Sequence, residues 1–76
     1  MTTILISDHA KKRIKERFNW KGKFLRKMVN RAFENGEAYN HGGFRYVVLN
    51  KNLFIFSEKE KDEFILVTAH QLGREK

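Results

Sequence analysis

Cysteine and proline are both missing from this 76-residue chain. Without cysteine there is no disulfide to staple the fold, no thiolate metal site and no cysteine nucleophile. Without proline, and with no repeat or low-complexity tract, nothing marks an interdomain linker. Long apolar runs are lacking too. None approaches the roughly 18 residues of a membrane span, and "MTTILIS" is short for a secretory signal and has no basic start. With 41% hydrophobic residues the chain has material for one small core. The expectation is a single domain over residues 1–76, soluble and cytoplasmic, stabilised by its core alone and frayed at the ends, chiefly at "GREK".

Positive charge is what the chain has in excess, a formal +7. Its location carries the information. Residues 1–35 hold ten basic side chains against three acidic ones, a surplus of seven, whereas the remainder holds six of each and is neutral. A field confined to one half of a small domain fits a polyanionic partner, most often nucleic acid, or an acidic protein or anionic surface. The alternative is a lysine-rich surface that only keeps the protein soluble.

Periodicity supplies the coarse architecture. "TILI" reads as a short first strand. Ser7 is placed as the N-cap of a helix running to about Phe18, with Asp8 at its positive end and Ala10, Ile14 and Phe18 forming an apolar stripe. "NWKG" interrupts the pattern. A second helix then follows, on which Phe24, Leu25, Met28, Val29, Ala32 and Phe33 mark a buried face and "NG" at Asn35 and Gly36 predicts a left-handed stop. Beyond "NHGG" the period changes to two, and "FRYVVL", "LFIF" and "EFILVTA" predict strands joined by hairpin loops at "NKN" and "EKEKD", with "EAYN" as a possible further strand. The fold class expected is α+β, two N-terminal helices packed across one face of a three- to four-stranded antiparallel sheet. The other face is left open to a ligand.

The first helix, "DHAKKRIKERF", raises an electrostatic question. At about 100° per residue, His9, Arg13 and Arg17 share one stripe beside the Ala10, Ile14 and Phe18 stripe. Arginines four residues apart on a helix repel. Either an acidic residue from the sheet or a bound phosphate can compensate, because guanidinium groups grip both through paired hydrogen bonds. Around this stripe, Lys12, Lys23, Arg26 and Lys27 are further cations suited to nucleic acid. Trp20, among lysines, either stacks on a base or anchors the helix connection. Arg45, beside the glycine turn, either contacts phosphate or faces solvent.

The segments "ISDHAKKRIKERF", the helix closed by "NG", the glycine turn and the ending "FILVTAH" resemble a group of small bacterial and phage domains. That group shares a Ser-x-His-Ala-x-x-Arg-x-x-x-Arg opening and looks related to the toxin-type ribonucleases that include barnase, EndoU, the tRNA-cutting colicins and RelE. The resemblance covers nearly the whole chain. It implies a RelE- or barnase-like fold and a functional site lined by His9, Arg13, Arg17 and Thr68, with His70 departing from the aromatic or aliphatic residue expected near the end of the last strand. The implied activity is a metal-independent endoribonuclease without cofactor. It would act on RNA by 2′-hydroxyl attack, with an acidic antitoxin as a possible partner.

These residue types suit that chemistry. His9 would act as base or acid, Arg13 and Arg17 as phosphate clamps, Thr68 as donor to a nonbridging oxygen, and His70 or His41 as the second proton-transfer group. Duller readings exist for each: a capping histidine, a loop residue at His41, a strand-end polar group at His70. Three scattered histidines make a poor zinc site, the acidic run Glu58, Glu60, Asp62 and Glu63 reads as a solvated turn, and "NHGGF" lacks the features of a P-loop. A noncatalytic nucleic-acid- or protein-binding module of phage or mobile-element origin is the rival expectation.

Overall fold

The computed structural model describes residues 2–72, so the expected fraying of "GREK" lies outside the described residues. The element order is β1 (Thr3–Ile6), α1 (Asp8–Phe18), α2 (Gly22–Asn35), β2 (Glu37–His41), β3 (Phe44–Leu49), β4 (Asn52–Glu60) and β5 (Glu63–Gln71). This is an α+β fold whose sheet has five strands in the order β1-β5-β4-β3-β2.

The expectation of three to four antiparallel strands is corrected at both edges. "EAYN" does form β2, and "TILI" joins the same sheet by pairing parallel to β5, Ile4 beside Phe64 and Ile6 beside Leu66. A parallel partner cannot be reached by a hairpin, so the chain crosses through both helices and the meander before β5 arrives next to β1. The remaining pairs are antiparallel and need only tight turns. Gly42 and Gly43 both take positive φ, the geometry of a two-residue hairpin turn that glycine adopts without strain. Asn50 and Lys51 do the same without glycine.

Ser7 caps α1 as its residue type requires: its hydroxyl accepts from the Ala10 N–H at 3.0 Å and donates to the Leu66 carbonyl at 2.9 Å. The cap therefore also ties the helix start to β5. Ala10 and Ile14 are fully buried on the inner face, with Leu25, Val29 and Ala32 from α2 and Val47, Phe54, Phe56, Phe64, Leu66 and Ala69 from the sheet. Each large apolar side chain so buried stabilises by about 1.5–3 kcal/mol. Phe24, expected on this face, is 52% exposed and meets the Trp20 ring edge-on.

The helix stop is also corrected. Gly36 ends α2 in an extended conformation, φ −74° and ψ 166°, so left-handed freedom is not its use. A methyl here would overlap Val47 Cγ1 and lie 2.6 Å from the Ala32 carbonyl. Glycine is required because helix end and β3 backbone approach closely.

Candidate functional site at the α1 and β5 edge

β1 covers β5 only as far as Leu66. Beyond that point β5 has a free edge on this side, and α1 runs along it. The start of α1 is held at Leu66 by Ser7, and near its end the Arg17 Nη1 donates to the Ala69 carbonyl at 2.7 Å. The same nitrogen lies 3.1 Å from His70 Nδ1. Arginine only donates, so His70 Nδ1 accepts and the proton of the neutral ring sits on Nε2. The Arg17 charge thus meets a backbone carbonyl and an imidazole, neither of the two partners that sequence reasoning offered.

A bulge makes this possible. Ile55 pairs with Thr68 whereas Phe56 pairs with Leu66, which leaves Val67 as an extra residue in β5. Before the bulge Phe64 and Leu66 face the helices; after it Ala69 does, and Thr68 and His70 turn to the helix-free face. On that face Thr68 shares a row with Ile55, Tyr46 and Tyr39, and His70 shares the next with Leu53, Val48 and Glu37. No local signal in "ILVTAH" announces the bulge, so the sequence alone could not separate Thr68 from Ala69 by face.

The predicted residues divide into groups. Arg17 and His70 are in contact, Thr68 is two residues from His70 on the same face, and Arg13 lies one helical turn from Arg17 on the same flank of α1, exposed. His9 is on that flank too but two turns before Arg17, near the Leu66 end, an offset of about 12 Å along the helix. A base and an acid working on one phosphodiester must both reach oxygens of the same phosphorus. His9 and His70 are not so arranged. His41 ends β2 at the far side of the sheet, beside Phe44.

Arg45 is elsewhere again. Its pairing with Phe56 puts it on the helix-covered face, where its guanidinium sits 4.9 Å from the Phe33 ring and 5.7 Å from the Phe64 ring. Its Nε is buried without a hydrogen-bond partner among the described residues. Trp20 stacks on Phe18 at 4.6 Å and lies near-parallel to Phe54 at 6.4 Å, which fits anchoring of the helix connection. Lys12 is on the crest of α1, and Lys23 and Lys27 are exposed on α2. Arg26 donates to the Ile4 carbonyl at 3.3 Å. Hydrogen bonding to Glu37, and the Glu37 negative charge, raise the Tyr39 pKa above the usual tyrosine value.

No family model and no curated protein matches the chain. In structure it is similar to a conserved hypothetical protein from Helicobacter pylori, solved in solution, with a TM-score of 0.62 and 21% identity over 93% of this chain and 94% of that one. That likeness shows the fold alone. Among the described residues no helix is long and apolar enough to cross a membrane.

Proposed function

We propose that this chain is a small cytoplasmic ribonuclease of the toxin type, acting at the α1 and β5 edge without a metal ion. The observation that carries the reading is the Arg17 contact, one guanidinium nitrogen engaging both the Ala69 carbonyl and His70 Nδ1. In the neutral ring it holds the imidazole by Nδ1 with the proton on Nε2, beside Thr68 and near a second fixed charge on Arg13, and protonation at Nδ1 ends the contact.

In the reaction the substrate's 2′-oxygen attacks phosphorus and its proton passes to water. The bond from phosphorus to the 5′-oxygen breaks, leaving a 2′,3′-cyclic phosphate. Protonated on both nitrogens, the His70 ring delivers its Nε2 proton to the departing 5′-oxygen. Arg17, released from Nδ1, then joins Arg13 in holding the phosphate charge, and the Thr68 hydroxyl donates to a nonbridging oxygen. Within a RelE-like frame His70 takes the proton-transfer part first assigned to His9. One such group contributes about 10²–10⁴-fold, so the activity is expected to be modest. An acidic antitoxin would complement the basic helices.

A second reading rests on the offset of His9, two helical turns or about 12 Å from Arg17: among the described residues it leaves His70 without a second histidine beside it. A noncatalytic RNA-binding module on the same surface needs none. Purified protein incubated with total RNA and tRNA in EDTA separates the two. The ribonuclease yields cyclic-phosphate ends, lost in His70→Ala and kept in His9→Ala. RNA that stays intact yet shifts on a gel, or cleavage that persists in His70→Ala, overturns the assignment.

A further inference from the structure

The opposite flank of α1 carries a separate feature. Lys11 and Lys15, one turn apart, face α2 across a cleft of about 260 Å³, which Lys21 and Arg26 line from the other side. Ile6, Trp20 and Leu25 contribute apolar lining, and among the described residues no carboxylate lines the cleft. Arg26 is held in place by its bond to the Ile4 carbonyl. Four cations around one small concavity repel each other, and the low-dielectric wall beneath them concentrates their field. That arrangement favours an anion.

The anion has to be compatible with what lies next to the cleft. Viewed down α1 at about 100° per residue, Arg13 and Lys15 are separated by about 160° across the solvent-facing crest, where Lys12 stands between the exposed carboxylates of Asp8 and Glu16, each one turn from it. A helix with its side chains is about 10–12 Å wide. A single strand held at the Arg13, Arg17 and His70 edge can therefore pass over Lys12 and descend into the cleft within a few nucleotides. A carboxylate-bearing peptide would satisfy the charge but has no reason to follow that path.

We propose that the α1–α2 cleft is a second RNA contact, a backbone-phosphate site that binds the strand a few nucleotides from the phosphate at His70. It rests on the RNA reading above and adds a length requirement to it. Lys11, Lys15, Lys21 and Arg26 hold phosphates there without reading bases. Substrates long enough to cross α1 gain these contacts, and shorter ones do not.

The test is binding of fluorescently labelled 2′-O-methyl RNA, which cannot be cleaved, at two lengths of about three and about eight nucleotides, over a range of salt. The variants are Lys15→Glu with Lys21→Glu, and Lys59→Glu with Lys61→Glu as a control that changes charge equally on the far hairpin. All four lysines are exposed, and circular dichroism checks folding. The cleft pair should weaken the longer oligonucleotide at least tenfold. It should also lower the salt slope by about 1.4, the value for two lost single-strand phosphate contacts, and spare the shorter one. Equal loss in the control pair, or unchanged binding of the longer strand, overturns the inference while leaving the His70 chemistry standing. Binding of poly-glutamate that needs the cleft lysines, with RNA unaffected, overturns it in favour of an acidic protein. No RNA binding by the wild type at either length sinks the RNA reading and this inference together.

Discussion

Arg17→Met isolates the contact on which the site depends. The substitution keeps a long stem but removes the donor that engages the Ala69 carbonyl at 2.7 Å and His70 Nδ1 at 3.1 Å. A hydrogen bond from a charged group is worth about 1.5–3 kcal/mol when its partner stays dry. The Ala69 carbonyl lies at a strand edge and the contact is only partly buried, so water replaces part of it, and relief of the Arg13 repulsion returns a few tenths of a kcal/mol. The expected net loss is about 1 kcal/mol, or about 4–8 °C in Tm for a domain of this size. The decisive readout is the His70 ring. Its nitrogen chemical shifts at alkaline pH should report an Nε2–H tautomer in the wild type and a mixture in Arg17→Met, with Arg17→Lys intermediate. A variant as stable as wild type with an unchanged tautomer would show that the Arg17 contact neither braces the β5 edge nor orients His70.

Two further outcomes follow from packing. Gly36→Ala forces a methyl against Val47 Cγ1 and within 3.0 Å of the Val48 carbonyl. Overpacking at this closed junction outweighs the gain of about 0.4–1 kcal/mol from a stiffer unfolded chain, so chemical denaturation should show a loss of about 1–2 kcal/mol; a stabilised variant would contradict the close approach. Arg45→Met exchanges the contacts to Phe33 and Phe64 for apolar packing and removes a buried unpaired Nε. Stability should stay within about 1 kcal/mol of wild type, and RNA binding should be unchanged. A large fall in RNA affinity would return Arg45 to the phosphate contacts.

Local physics wrote much of this fold into the chain. Ser7 before an apolar stripe, the period change after Gly43 and the polar stretches at the hairpins each act over a few residues, so they were legible as a cap, a sheet and turns. The loops expected at "NKN" and "EKEKD" nevertheless shrink to Asn50 with Lys51 and to Lys61 with Asp62, because β4 spans Asn52–Glu60. Phe24 misled because a helix pattern tells which residues share a face but not how far the neighbouring layer extends over it.

The sequence by itself determined the α+β class, the crowding of positive charge into the two helices and the stripe of His9, Arg13 and Arg17. Only the tertiary structure decided what those charges meet. The parallel pairing of β1 with β5 joins segments about 60 residues apart in sequence, and the Val67 bulge is a property of two strands in register. Together they leave the Ala69 carbonyl at an open edge for Arg17 and turn Thr68 and His70 to the helix-free face. Such long-range geometry depends on how whole layers close over one another, and no short-range pattern encodes it.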